Sequence, residues 1–107
     1  MKKTTLLLAL TLATTLVFAK NVVIDVRTPQ EYADGHIAGA LNLDHSAIAQ
    51  TISKANVAKD DTVILYCRSG RRSGIAQETL KKMGYLNVEN YGGLEQVQKL
   101  LSSPLVR

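Results

Sequence analysis

Two nearly uninterrupted apolar runs, residues 21–26 and 62–66, constrain the fold more than any other feature of the sequence. Both are rich in β-branched residues, and signals for the start of a helix follow each of them. Such runs are typical of strands buried on both faces, which occur mainly in parallel sheets covered by helices. The sequence therefore predicts an α/β fold with a mainly parallel central sheet flanked by helices.

The first predicted helix has well-defined ends. Thr28 can cap it, Pro29 suits its first position, and Glu31 completes a capping box. We expect this helix to be short and to end near Gly35.

Three further helices and a short strand follow from the later apolar pattern. Asp44 or Ser46 is placed to cap the second helix, and the third covers residues 73–83. Residues 87–90 are predicted to form a short strand, and residues 92–93 a turn before the last helix. The residues predicted to face the core are Ile48, Ala49 and Ile52 in the second helix, Ile75, Ala76, Leu80 and Met83 in the third, and Leu94, Val97, Leu100 and Leu101 in the last.

The amino end has the pattern of a secretory signal peptide. Two lysines stand in residues 1–3, residues 4–19 carry no charge, and residues of small or modest size stand one and three positions before the bond after Ala19. The alternative is an uncleaved membrane anchor, but a spanning helix needs about 20 mainly apolar residues. We predict that residues 1–19 are a signal peptide and that residues 20–107 form one domain.

Export of this domain predicts a periplasmic protein with no stable membrane association after cleavage. The chain carries thirteen Lys and Arg against nine Asp and Glu, a formal charge of +4. Removing Lys2 and Lys3 leaves eleven against nine, or +2, which gives no reason to expect a nucleic-acid partner.

Cys67 is the only cysteine. An internal disulfide and a zinc site built on several thiolates are therefore excluded, and we expect neither a metal nor a cofactor. An unpaired thiol in an oxidising compartment suggests a reactive thiol or intermolecular pairing. The alternative is a small buried hydrophobic residue, which is common for free cysteine.

The segment after Cys67 favours a reactive thiol. Cys67 stands at the carboxyl end of a predicted strand, where ligands bind in α/β sheets, and a short loop with Gly70 leads into a helix. Backbone N–H groups of such a loop and the helix amino end stabilise an anion. Arg68, Arg71 and Arg72 are unfavourable at that helix end by about 0.3–1 kcal/mol each. Their presence there predicts an anion-binding site.

Three groups of motifs resemble those of one known family, and they follow one another in that family's order. The residues are Asp25-Val26-Arg27, Glu31-Tyr32, Gly35-His36-Ile37, Gly39-Ala40 and Asn42; residues 66–73, YCRSGRRS; and Met83-Gly84-Tyr85, Asn87-Val88 and Gly92-Gly93-Leu94. They resemble the motifs of rhodanese domains, the thiosulfate sulfurtransferases. The similarity is greatest to small exported single-domain members.

The resemblance implies a rhodanese-like fold and a sulfur transfer in two displacements. Cys67 would attack the sulfane sulfur of a donor such as thiosulfate, carry it as a persulfide, and pass it to cyanide or a thiol. The implied donor-binding residues are Arg68, Ser69, Gly70, Arg71 and Arg72. Asp25 and Arg27 are expected to form an internal ion pair or to brace this loop, and we favour bracing over a direct part in catalysis. Ser73 is a further bracing candidate. We expect a monomer that needs no cofactor.

Two other functions remain open on the sequence. Cysteine-dependent phosphatases and arsenate reductases also hold a thiolate in an anion-binding loop, but that loop needs an arginine six positions after the cysteine, where this chain has Ser73. A non-enzymatic persulfide carrier or redox sensor would use the same persulfide, and the sequence does not separate it from an enzyme.

Overall fold

The two apolar runs form neighbouring central strands of a four-stranded parallel sheet. The computed structural model describes residues 18–107, so most of the predicted signal peptide lies outside the described residues. Within residues 18–107, no helix has the length and apolar character needed to span a membrane.

The elements alternate between strands and helices along the chain. They are β1 (Asn21–Asp25), α1 (Pro29–Asp34), β2 (His36–Ile37), β3 (Leu41–Asn42), α2 (Ile48–Thr51) with a 3-10 turn (Ile52–Ala55), β4 (Thr62–Cys67), α3 (Arg71–Lys82), β5 (Asn87–Gly93), α4 (Leu94–Leu101) and β6 (Leu105–Val106). Thr28 and Glu31 make both bonds of the predicted capping box at α1.

The main sheet has the order β3-β1-β4-β5, and every pairing in it is parallel. The predicted α/β class and mainly parallel sheet are therefore confirmed. A second sheet, the antiparallel pair of β2 and β6, was not predicted. Its strands have only two residues each, which is too short for alternation to be visible in the sequence.

Side chains alternate between the two faces of the central strands. On β4, Val63, Leu65 and Cys67 face a cluster completed by α2 and α3, which includes Ile48 and Leu80. Tyr66, which lies between Leu65 and Cys67, belongs instead to the cluster on the opposite face with Ile37, Ala40 and Val97. The sheet is thus covered on both sides, and Cys67 lies on the face that carries α3.

Several predicted details are wrong. Ala49 is exposed, as are Ile75 and Leu100, which are 44% and 65% accessible. The predicted turn at residues 92–93 belongs to β5, which runs directly into α4.

Two predicted helix starts also differ. Helix α3 begins at Arg71, two residues before the predicted start. No side chain caps α2; the Asp44 carboxylate instead accepts hydrogen bonds from the N–H and hydroxyl of Ser46 and closes the preceding turn.

Candidate active site

Cys67 is the last residue of β4, and three loop residues separate it from α3. Gly70 has φ of +97°, a left-handed conformation that favours glycine and turns the chain into the helix. In this conformation the Gly70 N–H donates a hydrogen bond to Cys67 Sγ at 2.9 Å. The loop predicted to direct amides inward therefore has that geometry.

The surroundings of the sulfur favour the thiolate. Burial raises the pKa of the Cys67 thiol, but contacts of the sulfur with the Ser73 hydroxyl and with the amides of Ser73, Ser69 and Gly70 outweigh it, so the pKa lies below its ordinary value. The Ser73 hydroxyl lies 3.5 Å from Sγ. Cys67 also packs in the interior and is fully buried. The sulfur is therefore both a core atom and the target of several N–H dipoles.

The end of β5 supports the loop from behind. Asn90 donates to the carbonyl oxygen of Gly70 at 3.0 Å, and its side-chain oxygen accepts from the Ser73 hydroxyl at 2.6 Å. A β-carbon on Gly93 would collide with the carbonyl oxygen of Arg68, so only glycine fits there without displacing the loop. Asn90 could not be predicted from the sequence as part of the site, because nothing local marks its contact with a loop twenty residues earlier.

A cleft of about 530 Å³ opens beside the loop. Ser69 and Gly70 line one part of it, and Asn90 and Gln96 line another. Cys67 is not among its lining residues, so this cleft does not give direct access to the sulfur.

Two of the three arginines are held by an acidic residue within the chain. Arg72 forms two hydrogen bonds with the Glu31 carboxylate, at 2.7 and 3.1 Å, and Arg68 Nε lies 3.3 Å from the same group. The Arg72 bonds, opposed by burial and aided by the Thr28 amide, hold the pKa of Glu31 well below its usual range. The Glu31 carboxylate therefore provides part of the negative charge that the sequence predicted an external anion to provide.

Arg71 differs from the other two arginines. It is exposed at the first position of α3, and it forms no ion pair or side-chain hydrogen bond within the part of the chain that the structure describes. Its guanidinium is therefore open to an external anion.

Asp25 and Arg27 form a buried ion pair, which is the alternative given above to bracing of the loop. Their side chains are 0% and 5% exposed, and Arg27 Nη2 lies 2.6 Å from Asp25 Oδ2. Arg27 also donates to the carbonyl oxygen of Gly35 at 2.6 Å. These bonds fix the chain around α1, and the same segment is joined to the strand that carries Cys67 by the N–H of Val26, which donates to the carbonyl oxygen of Tyr66.

No metal site accompanies the thiol in residues 18–107, because no three His, Cys, Asp or Glu side chains gather there in a way that could hold an ion.

Comparison with known proteins gives consistent results. A family model described as rhodanese-like domain matches residues 11–100. The thiosulfate sulfurtransferase PspE of Escherichia coli is 47% identical over 92 residues, which cover 85% of this chain and 88% of PspE. The thiosulfate sulfurtransferase GlpE of Pseudomonas entomophila is 39% identical over 72 residues, covering 67% and 64% of the two chains. A solved structure, described as a rhodanese with anions from E. coli, aligns with a TM-score of 0.74 at 41% identity and covers 81% of this chain and 98% of that one.

Proposed function

Because the chain belongs to the rhodanese-like domain family and is a rhodanese sulfurtransferase, we propose that it takes the outer sulfur of thiosulfate onto Cys67 and passes it to cyanide or a thiol. The observation that carries this proposal is the Gly70 N–H 2.9 Å from Sγ, together with a Cys67 pKa below its ordinary value. Both favour an ionised nucleophile without a neighbouring base.

The chemistry balances in two displacements. The Cys67 thiolate attacks the outer sulfur of thiosulfate, the sulfur–sulfur bond of the donor breaks, and sulfite leaves with the bonding electrons. The resulting Cys67 persulfide carries the negative charge on its terminal sulfur, near the amides of Ser69 and Gly70. A cyanide ion or a thiolate then attacks that sulfur and releases the Cys67 thiolate. No proton transfer to the leaving sulfite is required.

We propose that the loop arginines divide their roles. Arg72 is held by Glu31 and keeps the start of α3 in place, whereas Arg71 is free to meet the sulfonate oxygens of the donor. Arg68 uses only Nε on Glu31, so its remaining N–H groups can assist. Since Cys67 is fully buried, the loop atoms that cover Sγ must shift when the donor sulfur approaches.

Intact-mass analysis tests the reaction class directly, because the chain has one cysteine. After exposure to thiosulfate we expect the mass to rise by one sulfur atom, and cyanide should reverse the gain. Cys67→Ser should show no gain while retaining the fold, and Ser103→Ala serves as a matched control that behaves as wild type. A sulfur adduct that persists in Cys67→Ser would refute the assignment.

Kinetics test the arginine assignment. Arg71→Gln should raise the KM for thiosulfate by about tenfold, the effect of losing one charged contact of about 1.4 kcal/mol, with stability unchanged. Arg72→Gln should lower stability as well. Equal kinetics for wild type and Arg71→Gln would remove Arg71 from donor binding.

The alternative functions have separate tests. A phosphatase should hydrolyse an aryl phosphate in a Cys67-dependent manner, and we expect none, because Ser73 and not arginine stands six positions after the cysteine. A carrier or redox sensor should form the persulfide once but fail to turn over with cyanide.

We also propose that the protein is exported to the periplasm and cleaved after Ala19, leaving a monomeric domain of residues 20–107 without a stable membrane association. The sequence of residues 1–19 supports this. Mass spectrometry of the periplasmic fraction should find an amino end at Lys20, and an intact residue 1–19 segment would refute the cleavage.

A further inference from the structure

A second buried acidic group lies far from the thiol, where the chain enters β1. Asp61 is 2% exposed, and its Oδ1 accepts a hydrogen bond from the backbone N–H of Lys20 at 3.0 Å. Its Oδ2 accepts from the Ala58 N–H and from Lys20 Nζ, both at 2.8 Å. The Lys20 carbonyl oxygen in turn accepts from the N–H of Thr62 at 2.9 Å. The backbone of Lys20 is therefore fixed on both sides by the turn that leads into β4.

The Asp61 carboxylate is buried, but the charged group that pairs with it is not. The cation that pairs with Asp61 is the Lys20 side chain, which is 59% exposed, whereas the donor to Oδ1 is a neutral amide. Buried carboxylates are best stabilised by cationic donors that are themselves shielded. The Lys20 hydrogen bonds, together with that from Ala58, lower the pKa of Asp61 to about 2, so the carboxylate stays charged at neutral pH.

Hydrolysis of the bond before Lys20 would change that donor. Water adds to the Ala19–Lys20 peptide bond, the carboxylate remains on Ala19, and the Lys20 nitrogen becomes an α-ammonium group. No redox change occurs. The nitrogen already lies 3.0 Å from Oδ1, so the new positive charge would form in contact with the buried carboxylate.

We propose that Asp61 is a binding site for the α-ammonium group of Lys20, so that cleavage after Ala19 stabilises the folded domain. This inference rests on the cleavage proposed above. The charged groups facing the α-nitrogen are the Asp61 carboxylate and Lys20 Nζ; on the same turn, Lys59 is directed to the carbonyl oxygen of Met83. The folded protein therefore acquires a charge-assisted bond that the uncleaved chain lacks.

The pH dependence of this bond has a definite sign. A carboxylate partner raises the pKa of an α-amine above its unfolded value of about 7.7–8.0. A group with a raised pKa stabilises the fold fully below the unfolded value and loses its contribution as the pH rises through the folded value. The stabilisation should thus be present at pH 6.5 and absent at high pH.

The test compares three chains: the full chain, a chain starting at Ala19 and a chain starting at Lys20. The last retains all strands and helices of the described residues. In urea unfolding at pH 6.5, the Lys20 chain should have a folding constant about tenfold above that of the Ala19 chain, the effect of a one-unit rise in the pKa of the amine. The Ala19 chain is the matched control, since it differs by one residue and restores the neutral amide.

Two further measurements complete the test. Asp61→Asn should remove the difference between the Lys20 and Ala19 chains, and if this variant fails to fold, NMR titration of the α-amine in the wild-type chains decides. We expect a pKa above 8 for the Lys20 chain and an ordinary one for the Ala19 chain. Equal stability of the two chains with an ordinary α-amine pKa would overturn the proposal. Sulfur transfer is not a readout here, so a failure of this inference and a failure of the proposed function are distinguishable.

Discussion

Replacing Glu31 with glutamine tests the contacts by which Glu31 of α1 holds Arg68 of the loop and Arg72 of α3. Glutamine keeps an oxygen that can accept the Thr28 hydrogen bonds of the capping box, so the change acts mainly on the arginines. Arg72 keeps a hydrogen bond to one oxygen, now on a neutral group, and loses the other. Arg68 loses its attraction to the carboxylate. The variant therefore isolates the charge at this position from the helix cap.

The exposure of the partners sets the expected loss of stability. A hydrogen bond to a charged group is worth about 1.5–3 kcal/mol when shielded, and an exposed ion pair less than about 1 kcal/mol. The Glu31 and Arg72 side chains are 19% and 22% exposed, and that of Arg68 is 73% exposed. We expect Glu31→Gln to lower the free energy of unfolding by about 1–2 kcal/mol at pH 7, nearly all of it from Arg72.

The loss should depend on pH. The pKa of Glu31 is lowered in the folded protein, chiefly by the Arg72 hydrogen bond. A carboxyl group of this kind stabilises the fold above its unfolded pKa of about 4.3 and loses that contribution as the pH falls below it. The difference between wild type and Glu31→Gln should be full at pH 7 and should shrink below about pH 4.

Urea unfolding at several pH values measures both quantities. Glu78→Gln is the matched control, because Glu78 is an exposed residue of α3 that makes no ion pair in residues 18–107, and its loss should stay within about 0.5 kcal/mol. A loss of stability in Glu31→Gln no greater than in this control, or one that is the same at pH 3 and pH 7, would contradict a stabilising charge at Glu31.

Three further predictions concern the loop and the sheet. Gly93→Ala should lower the rate of sulfur transfer about tenfold or more, because the new methyl group displaces the loop. Gly74→Ala should keep wild-type turnover, because there is room for a β-carbon at that position. The rate of Cys67 alkylation by iodoacetamide, followed against pH, should have its midpoint below the ordinary thiol pKa of about 8.5 in the folded protein and near that value in denaturant. Equal midpoints in the two states would contradict a thiolate stabilised by the loop amides. Tyr66→Phe should cost about 1–3 kcal/mol in urea unfolding, since the buried N–H of Ile37, 3.0 Å from the Tyr66 hydroxyl, loses its acceptor.

Features that depend on neighbouring residues could be predicted from the sequence. The strands β1 and β4 appear as apolar runs because both of their faces are buried. The capping box joins residues only three apart, and the loop amides that face Cys67 come from the following six residues. In each case the determining contact lies within one turn or one loop of the chain.

Contacts between distant residues could not be predicted in this way. Glu31 satisfies the capping pattern completely, so nothing local indicates that it also holds Arg72, forty-one positions later. Likewise, nothing local indicates that the buried Asp61 accepts a hydrogen bond from Lys20, forty-one positions earlier.

Two of the three helix positions predicted wrongly, Ile75 and Leu100, have a common cause. The buried stripe of α3 is narrow and runs through Ser73, Ala76 and Leu80, which leaves Ile75 outside it. Leu100 lies in the last turn of α4 and lines the cleft. Apolar periodicity identifies a helix, but how many of its apolar residues are buried depends on how far the element packed against it extends.

The alternation of side chains along β4 has a consequence for how this domain can vary. Cys67 and Tyr66 are adjacent in the chain yet lie on opposite faces of the sheet. Deleting or inserting one residue within β4 would reverse this parity. The sulfur would then point at α4, away from the amides of its own loop, even with every loop residue retained. Homologues that keep the reaction should therefore tolerate length changes in the connections and hardly ever in this strand.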